Sequence, residues 1–122
     1  MAGSVPGRQT GADALAVVTA FGAAWSARDV DAVLARCAED VVFESTTPPD
    51  GERFVGHAAA RSVWAPVIED PAARFDVEET IVAGDRVVQR SRYSWADGHV
   101  ALIDVFRVAD GLVVEKLTYV KG

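Results

Sequence analysis

A carboxylate in the middle of an apolar stretch is the strongest chemical signal in this sequence. Asp104 follows Ile103 and precedes Val105 in a segment with the composition of a β-strand. An ionised carboxylate in such a place is costly unless a partner satisfies it. A carboxylate that faces a cavity can also act as a general acid or base. Asp104 is therefore the candidate catalytic residue, and a buried structural role is the alternative.

Lys116 is the predicted partner of this carboxylate. It is one of two lysines in the chain, and antiparallel pairing about the turn at 109–111 places it roughly across from Asp104. If the two side chains touch, we expect an ionised pair that suits structure or the positioning of an anion. If Lys116 points elsewhere, Asp104 would be partly protonated and available for proton transfer.

The strand before Asp104 is predicted to have one polar wall that faces the interior. In the segment Arg86–Trp95, Arg90 and Arg92 share one face, and two arginines so placed are seldom covered by a helix. The opposite face carries an amide, a hydroxyl, a phenol and an indole, on Gln89, Ser91, Tyr93 and Trp95. A purely structural interior would contain valine and leucine here. We therefore predict that these four side chains line a ligand pocket.

The other candidate groups predict packing more than chemistry. Trp25 is expected in the core, whereas Trp64 is placed, like Trp95, to shape the mouth of a pocket. The two histidines, His57 and His99, lack a nearby pattern of carboxylates. Neither a metal site nor another cofactor is therefore expected.

Three segments with helical spacing would cover this pocket. The first begins near Asp13, a capping residue, and has an apolar stripe that includes Leu15. The second follows Asp29, which can cap its start. The third extends over residues 57–70 and contains Pro66, which should kink it or split it into two turns.

The strands are predicted from β-branched residues and from the turns between them. A strand over 40–47 lies between the second and third helices, and four more fill the end of the chain: Phe75–Val82, Arg86–Trp95, His99–Val108 and Leu112–Val120. The short turns that separate these four contain glycine beside aspartate, which is typical of antiparallel hairpins. The order α-α-β-α-β-β-β-β predicts an α+β domain in which helices cover one curved sheet and leave a conical cavity.

The length of the chain fits one domain. At 122 residues and 13.0 kDa it can form one sizeable core. Residues 1–11 are small and polar and include glycine and proline, so they are expected to form a flexible tail. A single domain over 12–122 follows.

Composition and charge exclude several functional classes. Twelve Lys and Arg residues against eighteen Asp and Glu residues give a net charge of −6, so a basic surface for nucleic acid is missing. Cys37, expected on the apolar face of the second helix, is the single cysteine, which excludes an intrachain disulfide. No apolar run approaches the ~20 residues of a membrane span, and the start lacks a signal pattern. We therefore expect a cytoplasmic protein without nucleic-acid or membrane partners.

Four strings, in this order and spacing, resemble the NTF2-like superfamily and, within it, the SnoaL-like group that includes ketosteroid isomerases. They are FGAAWSARD at 21–29, AEDVVFE at 38–44, VGHAAA at 55–60 and IDVFRVADG at 103–111. The resemblance implies a cone in which three N-terminal helices pack on a strongly curved, mainly antiparallel sheet. It also implies a pocket for a small molecule and pairing of two copies through the sheet.

The resemblance also assigns positions in the pocket. In ketosteroid isomerases a helical tyrosine, a protonated aspartate on a strand and an aspartate base act together. Here Asp104 matches the protonated aspartate, Phe21 stands at the tyrosine position and Ser45 at that of the base. Similar epoxide hydrolases use an Asp-Arg-Asp set, of which Thr118 occupies one acid position. Both catalytic sets are incomplete, and Phe21, Ser45 and Thr118 are expected to line the pocket.

Three functions follow as hypotheses. The first is an enzyme of isomerase or cyclase type that acts on a small hydrophobic molecule with a carbonyl group. In this hypothesis Asp104 acts as acid or base, and Lys116 and Tyr93 are among the groups that orient the carbonyl oxygen. The second is a binding module for such a molecule without catalysis. The third is a dimeric interaction domain, because Val88 and Ile103 share the outer sheet face with the arginines.

Overall fold

The computed structural model describes residues 11–121 and confirms the predicted α+β architecture. The elements are α1 (Gly11–Ser26), α2 (Val30–Ala35), β1 (Cys37–Glu44), β2 (Arg53–Val55), α3 (His57–Ile68), β3 (Arg74–Ala83), β4 (Arg86–Trp95), β5 (Gly98–Ala109) and β6 (Leu112–Val120). Gly11 belongs to α1, and the rest of the expected tail lies outside the described residues. Among residues 11–121, no helix is both long and apolar enough to span a membrane.

The strands form one sheet in the order β2-β1-β6-β5-β4-β3. The four strands β3 to β6 pair antiparallel through short turns, as their glycine-containing connections predict. β1 pairs in parallel with β6, a contact that requires the intervening helix and hairpins as a crossover. β6 and β5 therefore lie at the centre of the sheet, where the candidate carboxylate and ammonium groups are located.

Several boundaries differ from the sequence-based expectations. β1 begins at Cys37, so this cysteine opens a strand and does not lie on the second helix. The three-residue strand β2, which was not predicted, pairs antiparallel with the end of β1. α3 is not divided at Pro66 and continues to Ile68, so the loss of the one hydrogen bond that a proline cannot donate does not end the helix here.

The buried stripe of α1 starts one residue earlier than expected, at Ala14 and not at Leu15. Ala14, Val18 and Phe21 are buried and face the sheet, whereas Leu15 is exposed. Spacings of four and three residues place these three side chains on one face of the helix. α1 therefore presents Phe21, and Trp25 one turn later, to the inner face of the sheet.

Arg28 fixes the loop that leads into β3. Its guanidinium group donates hydrogen bonds to the backbone carbonyls of Ile68 (3.1 Å), Asp70, Pro71 (3.3 Å) and Ala73 (2.7 Å). A planar group with five donors is well suited to hold several carbonyls in one arrangement. The end of α3 and the start of β3 are thereby held beside the end of α1.

Candidate functional site

A cavity of about 270 Å³ lies between α1 and the inner face of the sheet. Aromatic rings form its walls: Phe21 and Trp25 from α1, Phe75 from β3 and Phe106 from β5. Phe21 contacts Phe106 edge to face at 5.4 Å, and Trp25 contacts Phe75 at 5.6 Å in the same geometry. Such walls favour a flat apolar ligand.

The polar floor of this cavity is an ion pair with a bridging hydroxyl. Lys116 Nζ lies 3.1 Å from Asp104 Oδ1. Thr118 Oγ1 donates to the same oxygen at 2.6 Å and accepts from Lys116 Nζ at 2.9 Å. Both charged residues are buried and line the cavity. Of the two arrangements expected from the sequence, the structure has the one in which Lys116 contacts Asp104.

A β-bulge brings Lys116 to this face of the sheet. Cross-strand partners shift between Arg107 paired with Glu115 and Val108 paired with Val113, which leaves Val114 as an extra residue. Without it, the pairing at the turn would place Lys116 opposite Val105, on the outer face. With it, Lys116 lies opposite Phe106, and Thr118, not Lys116, is directly across from Asp104.

The second carboxylate oxygen of Asp104 is available to a ligand. Within the described part of the chain, Oδ2 has no hydrogen-bond donor, since both contacts of the carboxylate go to Oδ1. The same residues contain no fully buried side-chain oxygen or nitrogen without a partner. Because Asp104 lines the cavity, it follows that Oδ2 is open to the cavity.

The ammonium group of Lys116 lies between two indole rings. Its Nζ is 5.7 Å from the ring centre of Trp25 and 5.8 Å from that of Trp64. The negative face of an aromatic ring attracts a cation, more strongly where water is excluded. The ion pair and the two rings together account for a buried lysine among apolar side chains.

Gln89 and Ser91 line the cavity from β4, as the alternation of this strand predicts. Gln89 lies opposite Asp104, and its Nε2 donates to Thr80 Oγ1 at 3.4 Å. Ser91 is only 2% exposed, and its hydroxyl has no hydrogen bond among residues 11–121. Arg90 and Arg92 are exposed on the other face.

Five of the predicted pocket residues do not line the cavity: Thr118 only contacts the Asp104–Lys116 pair, and the other four lie elsewhere. Trp64 is buried in the core, in contact with Phe21, and does not shape a mouth. Trp95 is 37% exposed and covers Gly98 at the end of the sheet. Ser45 lies at the end of β1, where its hydroxyl accepts from the backbone of the 45–52 loop. None of the three contributes to the cavity wall described above.

Tyr93 is the fourth, and it lies beyond the cavity along β4. Its ring packs on Phe75 at 4.7 Å and on Trp95 at 5.4 Å. Burial raises the pKa of the Tyr93 phenol, and the negative charge of Asp70 raises it further. Tyr93 therefore supports the wall through Phe75 and keeps its proton at neutral pH.

Trp25 was expected in the core and instead lines the cavity. Its position four residues after Phe21 was the available signal, since residues so spaced share a helix face. Phe75, Phe106 and Gly22 also line the cavity without having been singled out. Phe106 could have been found by its two-residue spacing from Asp104.

The remaining reactive side chains serve structure. Burial raises the pKa of the Cys37 thiol to about 12, and the positive charge of Lys116 opposes this increase only in part. His57 Nε2 donates to the carbonyl of Cys37 at 3.0 Å and joins the start of α3 to that of β1. Over residues 11–121, no three His, Cys, Asp or Glu side chains are grouped to hold a metal ion.

The comparisons with known proteins agree with this architecture. The family model of the SnoaL-like domain matches residues 18–116. A solved NTF2-like protein of unknown function from Mesorhizobium loti is 40% identical, over 91% of this chain and 93% of that one, with a TM-score of 0.84. The NTF2-like fold inferred from the sequence is confirmed.

Two further solved structures share the fold at lower identity. A steroid delta-isomerase from Pseudomonas aeruginosa is 20% identical, over 91% of this chain and 81% of that one, with a TM-score of 0.75. An LEH-like epoxide hydrolase from M. tuberculosis is 19% identical, over 90% and 84%, with a TM-score of 0.72. No protein with a curated description matches the chain.

Proposed function

We propose that the cavity of this chain, which belongs to the family of SnoaL-like domains, binds a small, mainly apolar molecule with a carbonyl group and catalyses a proton transfer on that molecule. The aromatic walls suit a flat ring system. Lys116 would donate to the carbonyl oxygen, and Asp104 would accept the proton. Both side chains line the same cavity.

The proposed step is the formation of an enolate. Asp104 Oδ2 removes a proton from the carbon beside the carbonyl group, and the electron pair of the broken C–H bond moves toward the carbonyl oxygen. The Lys116 ammonium group stabilises the negative charge that develops on this oxygen. Return of the proton from Asp104 to a conjugated carbon completes an isomerisation with no net change in atoms, whereas return to the same carbon regenerates the starting ketone.

One observation carries this proposal: an unpartnered carboxylate oxygen and a buried ammonium group face one aromatic cavity. The set differs from that of ketosteroid isomerases, because Phe21 has no hydroxyl group and Ser45 does not line the cavity. Lys116 would instead supply the positive partner of the developing oxyanion. An isomerase among the structural neighbours is consistent with this chemistry on the same fold.

Exchange of α-protons in D2O tests the proposal. The probe is 2-tetralone, a two-ring ketone, and its loss of α-proton signal is followed by NMR with and without the protein. We expect the protein to accelerate exchange and Asp104→Asn to reduce that acceleration about 100-fold or more. Asp76→Asn, at an exposed carboxylate, is the matched control and should retain it. No acceleration by the wild-type protein would contradict the proposal.

A second candidate is a binding protein without catalysis. The 3.1 Å contact between Lys116 and Asp104 favours it, because each charge already has its counterion. In this case 2-tetralone would quench the fluorescence of Trp25 on binding but would exchange its α-protons no faster than in buffer. Asp104→Asn would then change only the affinity.

A further inference from the structure

We propose that Gly22 and Ser91 hold the end of the ligand remote from Lys116, and that this end is a ring with a hydroxyl group. The inference rests on the proposed function, because it concerns the ligand of the same cavity. It adds to the site a second polar contact, made by Ser91, and a space beside Gly22 that the ligand would fill. Both residues line the cavity.

The fold gives no reason for a glycine at position 22. Gly22 lies inside α1 with helical backbone geometry, where glycine is less favourable than alanine. A Cβ atom added there would meet no atom within 4 Å, so no neighbour requires the missing side chain. Gly22 lines the cavity and is itself exposed, so it lies where the cavity meets the surface. We infer that the missing side chain leaves room there for a ligand.

Ser91 supplies an independent indication of a ligand. Its side chain is buried and lines the cavity, and its hydroxyl has no partner among residues 11–121. Because no fully buried polar side-chain atom in these residues lacks a partner, Ser91 Oγ must be reached from the cavity. A hydroxyl in such a place needs an external donor or acceptor.

The register of the sheet relates the two residues to an entrance. Val77 of the edge strand β3 pairs with Ser91, and Val77 is 53% exposed while it lines the cavity. Gly22 is exposed on the helix that faces this edge. A molecule that enters between α1 and β3 would pass Gly22 and Val77 and meet Ser91.

The distance between polar groups defines the ligand. Ser91 pairs with Leu102, so it is the diagonal neighbour of Asp104 on the next strand. Diagonal neighbours in a sheet have Cα atoms roughly 7–8 Å apart. Lys116 Nζ is 3.1 Å from Asp104 Oδ1, so a similar distance separates Ser91 from the ammonium group. A flat molecule of two fused rings can span it. The ligand would then place a carbonyl group of one ring at Lys116 and a hydroxyl group of the other ring at Ser91.

Two probes and three variants test this arrangement. The probes are 2-tetralone and 6-hydroxy-2-tetralone, and their dissociation constants are measured by quenching of tryptophan fluorescence. We expect the wild-type protein to bind the hydroxylated probe up to about 10-fold more tightly, as one hydrogen bond allows. Ser91→Ala should abolish this preference, because it weakens binding of the hydroxylated probe more than binding of 2-tetralone.

Gly22 is tested by filling the gap. Gly22→Ala should raise the melting temperature by about 2–6 °C. It should also raise the dissociation constants of both probes about 3-fold or more. Gly22→Leu should weaken them further. Ala16→Leu, on an exposed position of α1 outside the cavity, is the control and should leave both affinities unchanged.

The outcomes separate this inference from the proposed function. If the wild-type protein exchanges 2-tetralone protons but Gly22→Leu binds both probes normally, or Ser91→Ala keeps the preference, the inference is wrong and the proposed function stands. If the wild-type protein binds neither probe, both are wrong.

Discussion

Two ion pairs of equal length occupy opposite surroundings in this protein. At the floor of the cavity, Lys116 Nζ and Asp104 Oδ1 are 3.1 Å apart, and the side chains are 11% and 8% exposed. On the edge strand β3, Arg74 Nε and Asp76 Oδ2 are also 3.1 Å apart, but these side chains are 74% and 45% exposed. Water screens the second pair more strongly than the first. The distance between the charged atoms therefore says little about what either pair contributes to the free energy of unfolding.

The difference shows what a buried charge needs. The exposed pair consists of two side chains two residues apart on one face of β3, and water can satisfy their remaining hydrogen-bonding groups. The buried pair has in addition the hydroxyl of Thr118 and the indole rings of Trp25 and Trp64. These contacts replace part of the hydration that both ions lose. The interior pair is thus a cooperative arrangement, in which the loss of one member leaves the others unsatisfied.

The largest effect is expected from Lys116→Met. This change leaves the Asp104 carboxylate in the interior without its counterion, which costs about 3–5 kcal/mol of unfolding free energy. Chemical denaturation at neutral pH measures the loss. A loss below about 1 kcal/mol would contradict the view that the pair stabilises the fold.

A double variant serves as the control for this experiment. When Asp104→Leu is combined with Lys116→Met, no unpaired charge remains, and apolar side chains of similar volume fill the space. Such replacements of a whole buried pair are often neutral or stabilising. We therefore expect the double variant to be more stable than Lys116→Met alone. The difference between them isolates the cost of the unpaired carboxylate.

The strands of the hairpins could be predicted from the sequence because their local signals agree. Glycine-containing turns fix the antiparallel order, and alternation with a period of two fixes which side chains face inward. This is how Gln89, Ser91 and Asp104 were assigned to one face. β2 and the parallel pairing of β1 with β6 were not predicted, because three residues carry no pattern and a long-range pairing leaves no local trace.

The candidate site could be predicted only in part. The contact between Asp104 and Lys116 was one of two alternatives that the sequence left open, and the bulge at Val114 that turns Lys116 inward was not predicted. An extra residue in a strand changes the face of everything after it and has no clear signature in a run of valines. The predicted places of Trp25 and Trp64 were interchanged. Helical spacing indicates that both side chains are covered, but it does not indicate which of them borders a cavity.

A smaller effect is expected on the outer face of the sheet, where we propose that a second copy of the chain binds. Four apolar side chains lie side by side across four strands, Ile81, Val88, Val105 and Leu117. Ile103 and Tyr119 are exposed next to them. An apolar sheet face of this extent is typical of an interface. A charge on this face, Ile103→Glu, should weaken the dimer by about 2 kcal/mol, or roughly 30-fold.

Sedimentation measures this association. The wild-type protein should sediment as a dimer at micromolar concentration, and Ile103→Glu should shift the equilibrium toward monomers. Ala16→Glu, at an exposed position of α1 away from this face, is the control for an added charge. A wild-type monomer at micromolar concentration would rule out the proposed interface.

The smallest effect is expected from the exposed ion pair on β3. Asp76→Asn removes the negative charge but keeps a side-chain oxygen that can accept from Arg74. Since exposed pairs contribute about 0–1 kcal/mol, we expect a loss of unfolding free energy below about 1 kcal/mol. This loss should vanish in 1 M NaCl, where the screening length is about 3 Å. The loss in Lys116→Met should persist at that salt concentration, because its cause is desolvation. An equal salt dependence of the two variants would mean that water reaches the floor of the cavity as freely as the edge strand.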